Sequence, residues 1–274
     1  MTRSETVQAG VTAGRAIVAV LSDRDGTFLA AGIAYYAFVS VFPAVLLAVA
    51  ITTAIGDEML AAAVLDRSGQ YLSPGGQELL VSAIRTTGGR GSATLVGIVA
   101  LLWSTLKVFR GLDIAFSRIY GTQTAESFLT RIVDALIVLV SITIAIGTMV
   151  IGGGLLAVQS PSVGRGLLGL FVLLIGLVVV FLPIYYFFPD TDVSVTEVLP
   201  GTVIAAAGWV LLQALFQLYA GITTTTSLYG VIGGVLLLVT WFYFAAILLV
   251  LGAAVNVVLA GRIDAAVNRQ LQHT

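Results

Sequence analysis

This sequence predicts an all-α fold: a polytopic membrane protein with about six transmembrane helices plus short interfacial amphipathic helices. Three observations predict it. Of 274 residues, 58% are hydrophobic and only 10% charged, which is too little polar surface for a water-soluble domain of this size. Apolar runs recur along the chain at close to the roughly 20 residues that cross a hydrocarbon core as a helix. The 13 basic residues are distributed unevenly among the connections between those runs, as membrane orientation requires.

Residues 1–27 read as a cytoplasmic amphipathic segment. Val11, Gly14, Ile17, Val18 and Leu21 recur at helical spacing among Arg3, Arg15, Arg24 and three acidic residues, the pattern of a helix lying on a membrane surface. Residues 28–260 form a single six-helix transmembrane domain, and 261–274 a cytoplasmic tail. The first span runs from about Phe28 to Ile55 and holds Pro43, whose missing N–H is expected to kink it. The polar stretch 56–90 carries Ser73-Pro74, an N-cap and first helical residue, opening a short amphipathic helix at the outer interface. From Ala93 the chain is apolar to Trp103 and continues into WSTLKVFRGLDIAFSRIYG. There Lys107, Arg110 and Arg118 share one helical face, within about 80°, opposite an apolar one. Further spans are predicted over 132–158, 166–188, 198–220 and 228–260, joined by connections rich in Gly, Pro, Thr and Ser.

Alternating the connections places the N-terminus, the 105–131 loop, the 189–197 loop and the C-terminus on one side, with nine Lys and Arg against four on the other. The positive-inside rule makes that side cytoplasmic and fits an even number of spans. The expected location is the cell's inner, cytoplasmic membrane.

Composition removes several chemistries. The chain has no cysteine, and its one histidine is His273, next to the last residue, so thiolate chemistry is excluded and a histidine metal site or Ser-His-Asp triad would depend on a terminal segment. No phosphate-binding G-x-x-x-x-G-K-[ST] loop occurs, and Lys107 is the only lysine, which excludes an ATP-driven pump within this chain. Gly152-Gly153-Gly154 lacks the spacing of a nucleotide fingerprint and reads as helix packing. No catalytic residue, cofactor or metal ligand is assigned, and the near-neutral net charge of −1 speaks against a nucleic-acid partner.

Polar side chains inside spans are costly and therefore informative. Gln213 and Gln217 lie four residues apart on the fifth span, near Tyr219; Tyr35, Tyr36 and Ser40 precede Pro43 on the first. Packing and interhelical hydrogen bonding account for these positions as well as a solute path does. Lys107, Arg110 and Arg118 form a candidate site for lipid headgroups or an anion, although a plain positive-inside anchor needs no ligand. Asp134, three residues after Arg131, reads as an interfacial ion pair.

Several stretches in order along the chain resemble the YihY/BrkB family of inner-membrane proteins: AAGIAYYAFVSVFP at 30–43, WSTLKVFRGLDIAFSRIYG at 103–121, YYFFPD at 185–190 followed by LPG at 199–201, and LYGVIGG at 228–234 leading into WFYFAAILLVLGAAVN at 241–256. Ser117 and Tyr120 stand where the family pattern leads one to expect Asn and Trp. The resemblance implies six helices with cytoplasmic ends, and links to serum resistance and envelope lipid movement. An older family label, ribonuclease BN, implies a nuclease, but the clustered carboxylates or histidines beside a basic groove that such an enzyme needs are not in this sequence.

Two functions are therefore expected in competition. One is a transporter of a lipid or amphipathic, anionic solute, with Lys107, Arg110 and Arg118 at the headgroups and Tyr35, Tyr36, Ser40, Pro43, Gln213, Gln217 and Tyr219 along the path. The other is a non-transporting scaffold or envelope-assembly factor, whose small-residue faces (Gly201 with Ala205, Gly230 with Gly234) bind other membrane proteins or a second copy. In both cases membrane lipids surround the chain.

Overall fold

A computed structural model describes residues 3–54, 92–122, 164–223 and 230–262, with 133, 136–138, 140, 141 and 143 between them. The 56–90 loop with its expected Ser73-Pro74 helix, Arg131, Asp134, Gly152-Gly154 and His273 lie outside the described residues. Among the described residues every regular element is an α-helix: α1 (Arg3–Asp23), α2 (Gly26–Ala54), α3 (Ser92–Tyr120), α4 (Gly164–Phe187), α5 (Val195–Thr223) and α6 (Gly230–Leu259). Stretches of the last three, Gly169–Phe187, Val195–Phe216 and Gly233–Leu259, are each long and apolar enough to cross a membrane, and Gly26–Val41 is a shorter apolar helix.

Local chemistry sets the ends of these helices. The chain turns from α1 into α2 through Asp25, at φ 55°, a left-handed conformation that Asp tolerates better than most residues. The Asp25 carbonyl then accepts from Leu29 N at 2.9 Å and so begins α2. At the end of α3, Gly121 takes φ 69°, Thr122 N donates to Ser117 O (2.9 Å) and Gly121 N to Arg118 O (3.3 Å), the paired bonds of a Schellman cap. Gly261, at φ 66°, ends α6 in the same way, donating to Val258 O at 3.1 Å. At the start of α5, Ser194 Oγ accepts from Glu197 N at 3.3 Å, an N-cap serine three residues before a glutamate. Pro43, Pro183 and Pro200 all lie inside continuous helices.

The chain packs as two compact units. The first comprises Met1–Ala31, Leu112–Leu215 and Phe244–Thr274; the second comprises Gly32–Gly111 and Phe216–Tyr243. The core of the first unit is built by Leu112, Ala115, Phe116 and Ile119 of α3, Phe181, Ile184 and Tyr185 of α4, Val198, Ala205 and Ala206 of α5, and Val250, Ala253, Ala254, Val255 and Val257 of α6. Phe116 stacks at a tilt on Tyr185 (5.4 Å) and Phe188 (5.8 Å). In the second unit, Gly111 of α3 faces Ile33 and Tyr36 of α2, and Phe216 meets Trp241 edge to face at 6.3 Å.

Much of the rest of the helical surface is apolar and exposed, including Phe171, Ile175 and Val179 on α4, Leu211 and Leu215 on α5, and Leu236 on α6. Large apolar side chains left outside over whole helix lengths are what a lipid solvent permits and water does not.

Candidate functional site

A group of polar residues of the first unit gathers at one end, where four junctions of the chain meet. Arg24, between α1 and α2, donates through Nη1 to the carbonyls of Arg118 (3.1 Å) and Ile119 (2.5 Å). These are orphan carbonyls in the last turn of α3, and a cation placed there also answers the helix dipole. Burial lowers the Arg24 pKa, opposed by neighbouring Asp23. Ser117 Oγ donates to Asp190 Oδ2 at 2.8 Å and Thr122 Oγ1 to the Pro189 carbonyl at 3.2 Å, fastening α3 to the turn after α4. Arg262, just beyond α6, binds the Glu197 carboxylate through Nε and Nη2, Thr191 Oγ1 through Nη1 (3.2 Å) and the Asp192 carbonyl through Nη2 (2.6 Å). The hydrogen bond to Glu197 raises the Arg262 pKa above its already high value, so this cation is permanent. The αL turn at Gly261 is what sends Arg262 back toward the start of α5.

Beneath this layer, α5 and α6 touch backbone to backbone. A Cβ on Gly201 would overlap the Gly252 carbonyl, and one on Gly252 would overlap the Tyr185 hydroxyl. Only glycine permits that approach, the small-residue contact common between membrane helices. Asn256, fully buried, accepts from Gly201 N through Oδ1 at 2.6 Å, and Tyr185 Oη donates to the Leu249 carbonyl at 2.8 Å. Two atoms in this layer are buried without a hydrogen-bond partner: Asn256 Nδ2 and the Tyr120 hydroxyl. Burial, then the Glu197 charge, raises the Tyr120 pKa, with the Asn256 amide and Arg262 acting in the opposite sense. The Asn256 amide lies close enough to the Tyr120 phenol to lower its pKa as a hydrogen-bond donor would, yet the two atoms are not in good hydrogen-bond geometry, so the pair is at best weakly satisfied.

The residues singled out from sequence are distributed differently. Lys107 lies 5.1 Å over the ring of Trp103, an exposed residue on the same helix face, and Arg110 is exposed. Arg118 instead pairs with Asp25 at 3.3 Å. Lys107 and Arg110 belong to the second unit, and Arg118 belongs to the first. Tyr35 is exposed and meets Tyr36 edge to face at 5.5 Å. Ser40 Oγ donates to the Ala37 carbonyl at 2.7 Å, and Pro43 is buried. Gln213 and Tyr219 are exposed on α5, while the Gln217 side chain lies outside what the structure describes.

Of the small-residue faces, Gly201 is buried against Gly252 of the chain's own α6, and Ala205 is buried as well. Gly234 remains exposed, with open space where its Cβ would be.

Tyr120, Glu197, Asn256 and Arg262 escaped the sequence reading. Signals for them existed: Ser194-x-x-Glu197 is a capping-box pattern, and Asn256 is a lone amide in an otherwise apolar run. Among the described residues, no group of three His, Cys, Asp or Glu side chains is placed to hold a metal ion.

An all-helical, polytopic membrane protein whose first unit is closed at one end by a polar knot is the class these features define. The chain belongs to the family described as virulence factor BrkB, whose sequence model matches residues 17–273. It is similar to YfkH of Bacillus subtilis, named a ribonuclease-like protein, with 28% identity over 254 residues, covering 87% of this chain and 92% of YfkH. It is also similar to UPF0761 membrane proteins of Aromatoleum aromaticum (28% identity, 67% of this chain and 47% of that protein) and Azoarcus sp. (26%, 71% and 48%). The chain thus spans nearly all of YfkH but about half the length of the other two. No solved structure matches it.

Proposed function

We propose that this chain is a transporter of the cytoplasmic membrane, moving a lipid or another amphipathic, anionic solute without an energy-coupling motif or catalytic step of its own. Gln213 carries the reading. It is exposed on α5, within a stretch able to cross a membrane and beside exposed Leu211 and Leu215. A primary amide facing hydrocarbon is strongly unfavourable, so its outward position calls for a polar surface next to it. Exposed Tyr35 and Tyr219 are amphipathic in the same way, and Lys107 and Arg110 supply cations for a phosphate or carboxylate group. The polar end of the first unit joins segments from the more basic side of the chain, which supports a cytoplasmic position for that end and both termini.

The scaffold reading draws less support from its first small-residue face, since Gly201 and Ala205 are buried within the chain; Gly234 keeps it in contention. YfkH is named ribonuclease-like, but among the described residues no group of three His, Cys, Asp or Glu side chains supports a metal-dependent nuclease reading.

Reconstitution in liposomes with labelled lipids and small anions tests the proposal. Flux should exceed that of empty liposomes for at least one candidate and fall about fivefold or more in Gln213→Leu and Arg110→Ala, with folded yield preserved. Flux that neither substitution changes would remove the proposed path, and no flux with any candidate would favour the scaffold.

A further inference from the structure

The closed end of the first unit combines features that a purely structural seal would not need. Arg262 ties the end of α6 to Glu197, to Thr191 and to the Asp192 carbonyl. Its own side chain is 28% exposed and that of Glu197 17%, so the tie sits at the rim, within reach of solvent. Directly inside it, Tyr120 (2% exposed) and Asn256 (0%) are sealed with the phenol oxygen and the amide nitrogen unpartnered. Buried polar atoms left unsatisfied disfavour the closed arrangement relative to one in which water reaches them. The helices beneath meet through glycine backbone, at Gly201 and Gly252. Such a contact is either seated or separated, with little room for gradual deformation.

We propose that this end of the first unit is a latched gate: Arg262, turned back at Gly261, holds the α5–α6 seam shut over Tyr120 and Asn256, and its release lets water into that seam. The rim ion pair holds the closed state, and the two unpartnered atoms bias the end toward opening once it lets go. The gate is a property of this end alone and stands whether or not the transport reading does.

The chain has no cysteine, so a single introduced thiol is a unique reporter. Thr202 is fully buried next to Gly201, and its hydroxyl donates to the Val198 carbonyl of its own helix (2.7 Å). Thr202→Cys is therefore a near-isosteric probe. In the full chain in lipid nanodiscs, where both membrane faces meet solvent, labelling of this thiol by a water-soluble maleimide should be slow. Adding Arg262→Gln or Glu197→Gln should accelerate it at least tenfold, and adding Tyr120→Phe to either should slow it again, because one unpartnered atom is gone from the closed state. A second reporter, Val235→Cys, at an exposed position of the other unit, should label at an unchanged rate throughout. A Thr202→Cys rate within twofold of the parent after the latch is removed would overturn the proposal. So would equal acceleration at both reporters, which would mean general loosening.

Discussion

The first half of α5 and the second half of α6 differ sharply from the remaining halves of the same helices. In the first pair Gly201, Thr202, Ala205 and Ala206 are buried, as are Gly252, Ala253, Ala254 and Asn256; small residues bring backbone against backbone and one amide bridges them. In the second pair Leu218, Tyr219, Val235 and Leu236 are exposed, and a Cβ added to Gly234 would meet only open space. Apolar composition is similar in both, so hydrophobicity does not distinguish them. In lipid, burying a leucine gains little, and close approach of small residues with satisfied polar groups is what holds helices together. The tight region is therefore the one with fewer large side chains.

The glycines break this comparison most directly. Gly201→Ala places a methyl group against the Gly252 carbonyl, a backbone atom that cannot rotate aside, and should destabilise by about 3 kcal/mol or more, at the upper end of overpacking effects. Thermal unfolding in detergent should show a large drop in midpoint or loss of folded protein. Gly234→Ala adds the same methyl group in open space and should be neutral or stabilise by up to about 1 kcal/mol, the helix-propensity gain. Equal effects at the two sites would remove the distinction.

Next come the two amides. Asn256→Ala withdraws the acceptor of Gly201 N in a buried layer and should cost about 1–3 kcal/mol. Gln213→Leu removes an exposed amide and should leave the unfolding midpoint unchanged or slightly higher while lowering flux in liposomes. If Gln213→Leu were the more damaging to stability, Gln213 would be a packing residue and the proposed path would lose its main support.

The extent to which sequence anticipated this division follows from the range of each interaction. Membrane helices are announced by composition and run length, so the all-helical fold and the helical N-terminal segment were readable; local end signals such as Gly121, Gly261 and Ser194-x-x-Glu197 stand in the sequence but were not used. The knot was not readable, because its partners lie far apart: Arg262 and Glu197 by 65 residues, Arg24 and Ile119 by 95. The basic face of α3 shows the same limit. Helical spacing groups Lys107, Arg110 and Arg118, which lie on one helix, but it carried no information that Asp25 would pair with Arg118. Likewise Gly201 reads as part of a packing face, with nothing local to say that Gly252 of the same chain's α6 lies against it.

The smallest effect is expected at Tyr120, and its sign is the informative part. An ordinary buried tyrosine with a bonded hydroxyl loses about 1 kcal/mol on change to phenylalanine, which is the expectation for Tyr185→Phe, given its bond to Leu249. Tyr120 has no such bond, so Tyr120→Phe should be neutral or stabilising at pH 7. Burial and the Glu197 charge raise the folded-state pKa of Tyr120 above its ordinary value, which is about 10. The unfolded chain therefore releases this proton first. The stability contributed by the neutral phenol is fully present below pH of about 10 and is lost as pH rises toward the folded value. Unfolding midpoints measured between about pH 8 and 11 should fall less steeply for Tyr120→Phe than for the parent. Parallel curves, together with a loss near 1 kcal/mol at pH 7, would show that the phenol is bonded after all and that the closed end carries no unsatisfied group there.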